Sequence, residues 1–106
     1  MADVLSEQDF RLKADHALED LQRTLMPLSD QEGFELELQN GVLQIVFEDP
    51  PAKFVVSPNA PVRQVWVAAM SRGYKLSWSA ELSSFVLDRD TLNALVERLV
   101  RENLNS

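Results

Sequence analysis

The side chains with the most chemical potential in this sequence are carboxylates, and they gather near its start. Residues 1–40 contain ten acidic and three basic residues, whereas residues 41–106 contain seven of each. The formal net charge of -7 therefore belongs to the first part of the chain. Such a surplus attracts cations or a basic protein surface, and it repels nucleic acid and anionic membranes. The alternative is that these acids only keep a small protein in solution.

Residue types that commonly carry catalysis are sparse. The sequence has no cysteine, which excludes a disulfide, a thiolate metal site and a cysteine nucleophile. His16 is the one histidine, so no second imidazole or thiol can complete a dyad or triad. Ser83 and Ser84 have no base partner, and three glycines are too few for a phosphate-binding loop. We therefore expect that the protein is not an enzyme.

The chain has the size of one compact domain, and we assign residues 1–106 to a single domain. Its composition, 45% hydrophobic and 25% charged, is typical of globular proteins and atypical of disordered ones. The first residues lack the basic and apolar regions of a signal peptide, and no apolar run approaches the roughly 18 residues of a membrane span. We expect a cytoplasmic protein.

The first element predicted is a helix. Ser6 followed by Asp9 resembles a capping box, and the apolar residues after it have helical spacing. These apolar residues are Phe10, Ala14, Ala17, Leu18, Leu21 and Leu25. The helix should end near Pro27, because proline lacks the backbone N–H that would continue it. Two ion pairs of favourable orientation are expected on this helix, Asp9 with Lys13 and Glu19 with Arg23.

About six short strands are predicted next. From Glu32 the period changes to two, so that Glu35 and Glu37 point outward while the apolar residues between them point inward. Asn40-Gly41 is typical of a tight type I′ hairpin, after which Leu43, Ile45 and Phe47 face inward. The remaining strands are predicted at 53–57, 63–69, 74–78 and 85–88, with turns or connections at 49–51, 58–61 and 71–73.

A second amphipathic helix closes the chain. It is indicated by the spacing of Leu92, Leu95, Val96 and Leu99, begins with Asp88 or Asp90 as its cap, and ends by about residue 103. Two helices that flank an antiparallel meander can pack together on one face of the sheet. The predicted fold class is therefore α+β, a two-layer sandwich with the other sheet face open to solvent.

The strand around Trp66 can be placed in two ways. If Val65 and Val67 face the helices, Trp66 lies on the open face, where an exposed tryptophan is a candidate binding anchor. If the strand is shifted by one residue, Trp66 is part of the core. The pattern alone leaves both placements open, because both sides of the strand carry apolar residues.

Three runs of residues resemble the frataxin family, of the bacterial CyaY type. They are the hairpin 40–47, the strand that contains Gln64-Val65-Trp66-Val67, and the turn Arg72-Gly73-Tyr74. Ala14-Asp15 and the leucines that follow are similar to the first helix of that family. The resemblance covers nearly the whole chain in order, and it implies an α-β plait. It also favours the placement with Trp66 exposed.

The resemblance implies weak binding of ferrous or ferric iron by an acidic ridge on the first helix and first strand. The residues that fall on this ridge are Asp15, Glu19 and Asp20 on the helix, and Asp30, Glu32, Glu35 and Glu37 on the loop and strand after it. Glu35 and Glu37 should lie roughly 7 Å apart on one side of a strand. Such spacing favours loose, water-rich coordination over a firm site.

Two protein partners are implied in the same way. The acidic ridge would contact a basic patch on the cysteine desulfurase, and the strand with Arg63, Gln64 and Trp66 would meet the scaffold protein of iron–sulfur cluster assembly. We expect a monomer that binds neither nucleic acid nor membranes. An alternative is a small acidic chaperone with no role in metal binding, which would dimerise through an apolar helix.

The sequence departs from the family pattern at two places. Frataxins usually keep acidic residues at the end of the first helix, where this chain has residues 23–27, Arg-Thr-Leu-Met-Pro. The ridge is interrupted there, which puts iron binding at that end in doubt. The tryptophan common on the strand before the last helix is Phe85 here, which keeps an aromatic ring and loses only the indole N–H.

Overall fold

A computed structural model describes residues 5–48 and 51–105 as two helices and one antiparallel sheet. The elements in chain order are α1 (Glu7–Glu32), β1 (Glu35–Gln39), β2 (Val42–Glu48), β3 (Pro51–Asn59), a 3-10 turn (Ala60–Val62), β4 (Gln64–Ala69), β5 (Arg72–Ser79), β6 (Ser84–Leu87), β7 (Asp90–Thr91) and α2 (Leu92–Leu104). The strands form a meander in which each one pairs with the next along the chain. The prediction of about six strands is close to the seven observed, since β7 has two residues.

Both helices pack on one face of the sheet, as predicted for a two-layer α+β sandwich. The inward positions of β2, Leu43, Ile45 and Phe47, are buried between the layers, and so are Val65 and Val67 of β4. The rest of the core comes from the apolar stripes of α1 and α2, from Phe34, and from inward positions of β3, β4, β5 and β6. No polar side chain is buried among the described residues, so the interior between the layers is apolar and the hydrophobic effect is the main force that holds them together.

Helix α1 is longer than predicted and contains Pro27 instead of ending there. Its start is as expected, because the Ser6 hydroxyl accepts a hydrogen bond from the backbone N–H of Asp9 at 3.1 Å. The apolar stripe continues past the proline to Leu28, which packs against the core. The helix ends where Gly33 adopts the left-handed conformation, φ 82°, and donates to the carbonyl of Ser29. Packing of this last turn offsets the hydrogen bond that the proline removes.

The hairpin predicted at Asn40-Gly41 is confirmed. Both residues have positive φ, 54° and 75°, as a type I′ turn requires. The turn sets Gln39 opposite Val42, and this register directs Glu35 and Glu37 away from the helices.

Two other boundaries differ from the prediction. The turn between β4 and β5 is made by Met70 and Ser71, both with positive φ, while Arg72 and Gly73 already belong to β5. The cap of α2 is Thr91, whose hydroxyl accepts from the N–H of Ala94 at 3.3 Å. Neither of the two acids predicted as the cap has that role: Asp88 lies in a turn with positive φ, and Asp90 forms an ion pair with Arg98.

The connections before and after β3 also differ from the sequence prediction or lie outside the described residues. Pro58 and Asn59, predicted as part of a stiff connection, extend β3, and Ala60–Val62 form a single 3-10 turn. The turn predicted at 49–51 lies mostly outside the described residues, since only Pro51 of it is described.

Replacing Pro27 with alanine should stabilise the protein. The substitution restores a backbone donor inside α1 and removes the clash of the ring, which together cost a helix interior about 3 kcal/mol. We expect a gain of about 1–3 kcal/mol in the free energy of unfolding, measured by urea titration. Met26→Ala, at the neighbouring exposed position, is the control and should change stability by less than about 0.5 kcal/mol. An unchanged or lower stability of Pro27→Ala would contradict this account.

Candidate functional site

The seven acidic residues predicted to bind metal are all exposed. Five of them lie on α1 and two on β1. Asp30 and Glu32, which were expected in a loop, belong to the last turn of α1 because this helix continues through Pro27. The members of the set are Asp15, Glu19, Asp20, Asp30, Glu32, Glu35 and Glu37.

The acids on α1 point in different directions. With about 100° between successive residues, Asp15 and Asp20 lie on opposite flanks of the buried stripe. Asp15 faces the hairpin, where its Oδ1 lies 3.8 Å from the position that a Cβ on Gly41 would occupy. Asp20 faces α2 and accepts a hydrogen bond of 2.9 Å from Nδ2 of Asn93. The same spacing puts Glu19 only about 40° from Asp15, so Asp20 is the acid that is turned away from the others on this side of the helix.

Neither of the two ion pairs predicted on α1 is formed. Arg23 pairs with Asp20 at 3.9 Å instead of with Glu19. Lys13 does not pair with Asp9; its Nζ lies over the ring of Trp78, 4.8 Å from the centroid. Consequently Glu19 forms no ion pair within the described ranges, whereas Asp20 is already engaged.

Across residues 5–48 and 51–105, no three Asp, Glu or His side chains converge on a point where a metal ion could be held. The predicted metal residues thus do not form a coordination cage. Exposed, separate carboxylates can hold a hydrated cation only through one or two protein ligands at a time. The arrangement suits a loosely bound, exchangeable cation.

Glu35 and Glu37 are the most regular acidic pair. They alternate with the partly buried Leu36 and Leu38, so both carboxylates project from the open face of β1. They lie opposite Val46 and Gln44 of β2, which carry no charge. This edge of the sheet therefore has a local negative charge that no neighbouring strand residue neutralises.

The open face of the sheet also holds Trp66. Val65 and Val67 on either side of it are buried under the helices, with 0% and 1% of their surface exposed, so Trp66 is not part of the core. Its ring is fixed from two sides: the indole Nε1 donates to Oε1 of Gln64 at 2.9 Å, and Nζ of Lys75 lies 5.0 Å from the ring centroid. A half-buried aromatic ring held in one orientation is a preorganised contact for a partner.

A shallow apolar groove of about 200 Å³ runs beside Trp66. It exists because Ala68 and Gly73 are paired across β4 and β5 and leave almost no side-chain bulk on this face. Val55 on β3 forms its other wall. Together the ring and the groove provide a raised anchor next to a depression.

Arg63 stands apart from Gln64 and Trp66. Its backbone has positive φ at the end of the 3-10 turn, and its guanidinium donates to the carbonyls of Leu5, at 3.0 Å, and Ala60. The side chain thereby ties the segment before α1 to the start of β4. The structure brings Gln64 and Trp66 together, whereas the side chain of Arg63 is engaged in hydrogen bonds within its own chain.

Lys75 was not singled out from the sequence. Its place over Trp66 follows from the turn at Met70 and Ser71, which sets these two residues opposite each other. Placing the turn at 71–73 implies a different register between β4 and β5, and this hid the pairing. The contact between Lys75 and Trp66 could have been predicted from the sequence only with the turn placed at Met70 and Ser71.

One carboxyl group on α1 has a shifted pKa. Arg11 donates two hydrogen bonds to Oε2 of Glu7, at 2.7 and 3.1 Å, and this contact lowers the pKa of Glu7. The pair therefore stabilises the fold above the ordinary pKa of a glutamate, and that contribution is lost as the pH falls through the lowered value. Because Glu7 is fully exposed, the effect is local to the first turn of α1.

None of the helices in the described part of the chain is long and apolar enough to cross a membrane.

The frataxin-like domain family matches residues 3–106. The iron–sulfur cluster assembly protein CyaY of Pseudomonas putida strain GB-1 is 34% identical over 85 residues, which cover 76% of each chain. The protein of the same name from Herminiimonas arsenicoxydans is 28% identical over 100 residues, 92% of this chain and 89% of that one.

A solved structure has a similar fold. It is a frataxin from Psychromonas ingrahamii, with a TM-score of 0.71 at 19% sequence identity, and the match covers 93% of this chain and 91% of that chain. The two-layer architecture and the order of its elements are therefore shared.

Trp66→Ala should leave the fold intact. The substitution removes one hydrogen bond and one cation–π contact on the open face, which we expect to cost about 1 kcal/mol. Phe85→Ala is the matched control, since Phe85 is buried against Phe10 and Trp78 and its truncation should cost about 3–5 kcal/mol. Urea unfolding of both variants measures the difference. Equal losses would mean that Trp66 belongs to the core.

Proposed function

The chain belongs to the frataxin family, and from that premise we propose that it acts in iron–sulfur cluster assembly as a binding protein without catalytic activity. It works in the cytoplasm as a monomer, and iron is its cargo. The observation that supports this best is the pairing of two different exposed surfaces on one rigid sheet. One is the acidic edge, Glu35 and Glu37 of β1; the other is the open face around Trp66.

The acidic edge is proposed to hold iron weakly. Its two carboxylates are exposed and carry no ion pair within the described residues. Their spacing leaves room for water in the coordination shell, so the ion can exchange quickly with another protein. Asp15, Glu19, Asp30 and Glu32 lie on α1 and add negative potential nearby. Asp20 contributes less, since Asn93 and Arg23 already engage it.

The same edge is proposed to dock on the cysteine desulfurase. A negative surface of this kind steers association with a basic surface, and the attraction weakens with salt as the Debye length falls to about 3 Å at 1 M. Iron and the desulfurase would then compete for the same carboxylates. Binding of one should weaken binding of the other.

The face around Trp66 is proposed to meet the scaffold protein. A fixed aromatic ring beside a shallow apolar groove has the form of an interaction hot spot, in which one anchor carries most of the binding energy. Gln64 and Lys75 serve by holding the ring and not by direct contact. Arg63, which binds backbone carbonyls of its own chain, is proposed to support this face indirectly.

The comparisons group the chain with proteins named for iron–sulfur cluster assembly. They add no support to the alternative of a small acidic chaperone. An apolar helix for dimerisation, which that alternative requires, has no counterpart within residues 5–48 and 51–105, where the apolar stripes of both helices pack on the sheet.

Iron should act first at the acidic edge. Ferrous iron added without oxygen should broaden the NMR amide signals of residues 30–37 before those of residues 92–99, because paramagnetic broadening falls steeply with distance from the ion. The double variant Glu35→Gln, Glu37→Gln should lose most of this effect, and the control Glu81→Gln should keep it. If residues 92–99 broaden first, the proposed iron site is wrong.

Charge reversal tests the desulfurase surface. The double variant Glu35→Lys, Glu37→Lys changes the local charge by four units without altering the buried side of β1, so the fold should survive. Affinity for the desulfurase at low salt should fall at least about tenfold. The control Glu81→Lys, Glu102→Lys makes the same change in net charge at exposed positions elsewhere and should retain affinity. Circular dichroism checks folding of all variants.

Trp66→Ala in the same assays should give the reverse pattern, with weaker binding to the scaffold and unchanged binding to the desulfurase. If a folded charge-reversal variant binds the desulfurase as well as its control does, the acids of β1 are only a solvated face. If Trp66→Ala binds the scaffold normally, the open face is not the scaffold surface.

A further inference from the structure

A cavity of about 340 Å³ lies on the helix side of the sheet, away from both surfaces described above. It is bounded by α1, by the β5–β6 end of the sheet and by the first residues of α2. Its volume falls within the range of about 300–1,000 Å³ that is typical of small-molecule sites.

Lys13 is the residue of this cavity best placed to contact an anion. Its ammonium group lies on the face of Trp78, 4.8 Å from the ring centroid, and forms no ion pair with any residue that the structure describes. Asp9, the partner expected from the sequence, does not reach it. In a chain with a net charge of -7, this ammonium group is held against an aromatic ring with no carboxylate partner among the described residues, so its charge is available to an anionic ligand.

The remaining walls favour an anion with an apolar body. Among the described residues that line the cavity, Asp20 is the one acid, and Asn93 and Arg23 engage both of its oxygens. His16 adds a second nitrogen donor, and the positive end of α2 borders the cavity. Trp78 and Phe85, whose rings meet at 5.2 Å, supply an aromatic wall.

We propose that this cavity binds a small organic anion, whose carboxylate or phosphate group contacts Lys13 and whose hydrocarbon part lies against Trp78 and Phe85. The cation–π contact holds the ammonium in place before the ligand arrives, so little side-chain entropy is lost on binding. The site is independent of the acidic edge and of the Trp66 face, so its test stands apart from tests of the proposed function.

Trp78 can report on this binding by its own fluorescence. The protein has two tryptophans, and Trp66→Phe leaves Trp78 as the single one. Benzoate and phenyl phosphate are the probes, because they share a ring and differ in the anionic group, and benzyl alcohol is the uncharged control. We expect a saturable change in emission with at least one of the two anions and none with benzyl alcohol.

Two further variants locate the site. Lys13→Gln should weaken binding about tenfold or more, as expected for the loss of one hydrogen bond to a charged group. The control Lys53→Gln removes the same charge from an exposed position on β3 and should bind normally. Ala17→Leu fills the cavity without a change of charge and should abolish binding; it also serves as the test if Lys13→Gln does not fold.

The response to the two anions identifies the preferred group. Stronger binding of benzoate indicates a carboxylate ligand, and stronger binding of phenyl phosphate a phosphate ester. The proposal is overturned if neither anion gives a saturable response up to about 10 mM, ten times the Kd of a millimolar ligand. It is equally overturned if Lys13→Gln and Ala17→Leu, both folded, bind as the parent does.

Discussion

The parity of strand β4 determines the character of both faces of this protein. Successive side chains of a strand point to opposite sides, so the burial of Val65 and Val67 under the helices forces Trp66 onto the open face. A shift of one residue would exchange them, burying an indole and exposing two valines. Everything proposed for the face around Trp66 depends on this one choice, which is favoured by the apolar area that the core buries.

Tight turns enforce that parity. The β1–β2 hairpin was predictable, because Asn40-Gly41 is the residue pair that a type I′ turn prefers. The outward direction of Glu35 and Glu37 was predictable from the alternation with apolar residues that begins after Glu32. The fold class was predictable for a similar reason: helical spacing at both ends and period-two spacing between them leave few ways to form one core. The placement of Trp66 was not decided by its own strand, since both sides of β4 carry apolar residues, and only the resemblance to a family favoured the correct one.

The features that the sequence did not predict are those in which tertiary contacts override local preference. Pro27 should end a helix, yet α1 passes through it because Leu28 still reaches the core. Met70 and Ser71 form a turn with positive φ although Gly73 nearby is the better residue for one. Asp20 was expected to act with the other acids, but its angular position on α1 turns it away from Asp15, and Asn93, which donates a hydrogen bond to it, lies 73 positions away. Such long-range contacts leave no mark in local spacing.

The exposed edge of the sheet has a consequence for self-association. Among the described strands β1 pairs only with β2, so its outer side offers unpaired backbone groups to any strand of another molecule. Two copies that met edge to edge through β1 would bring Glu35 and Glu37 close to the same carboxylates of the second chain, and like charges facing each other oppose pairing. The opposite edge is β7, whose two residues are too short to extend a sheet. The carboxylates of β1 therefore also oppose edge-to-edge aggregation of the sheet. A cation that neutralised them would weaken this repulsion.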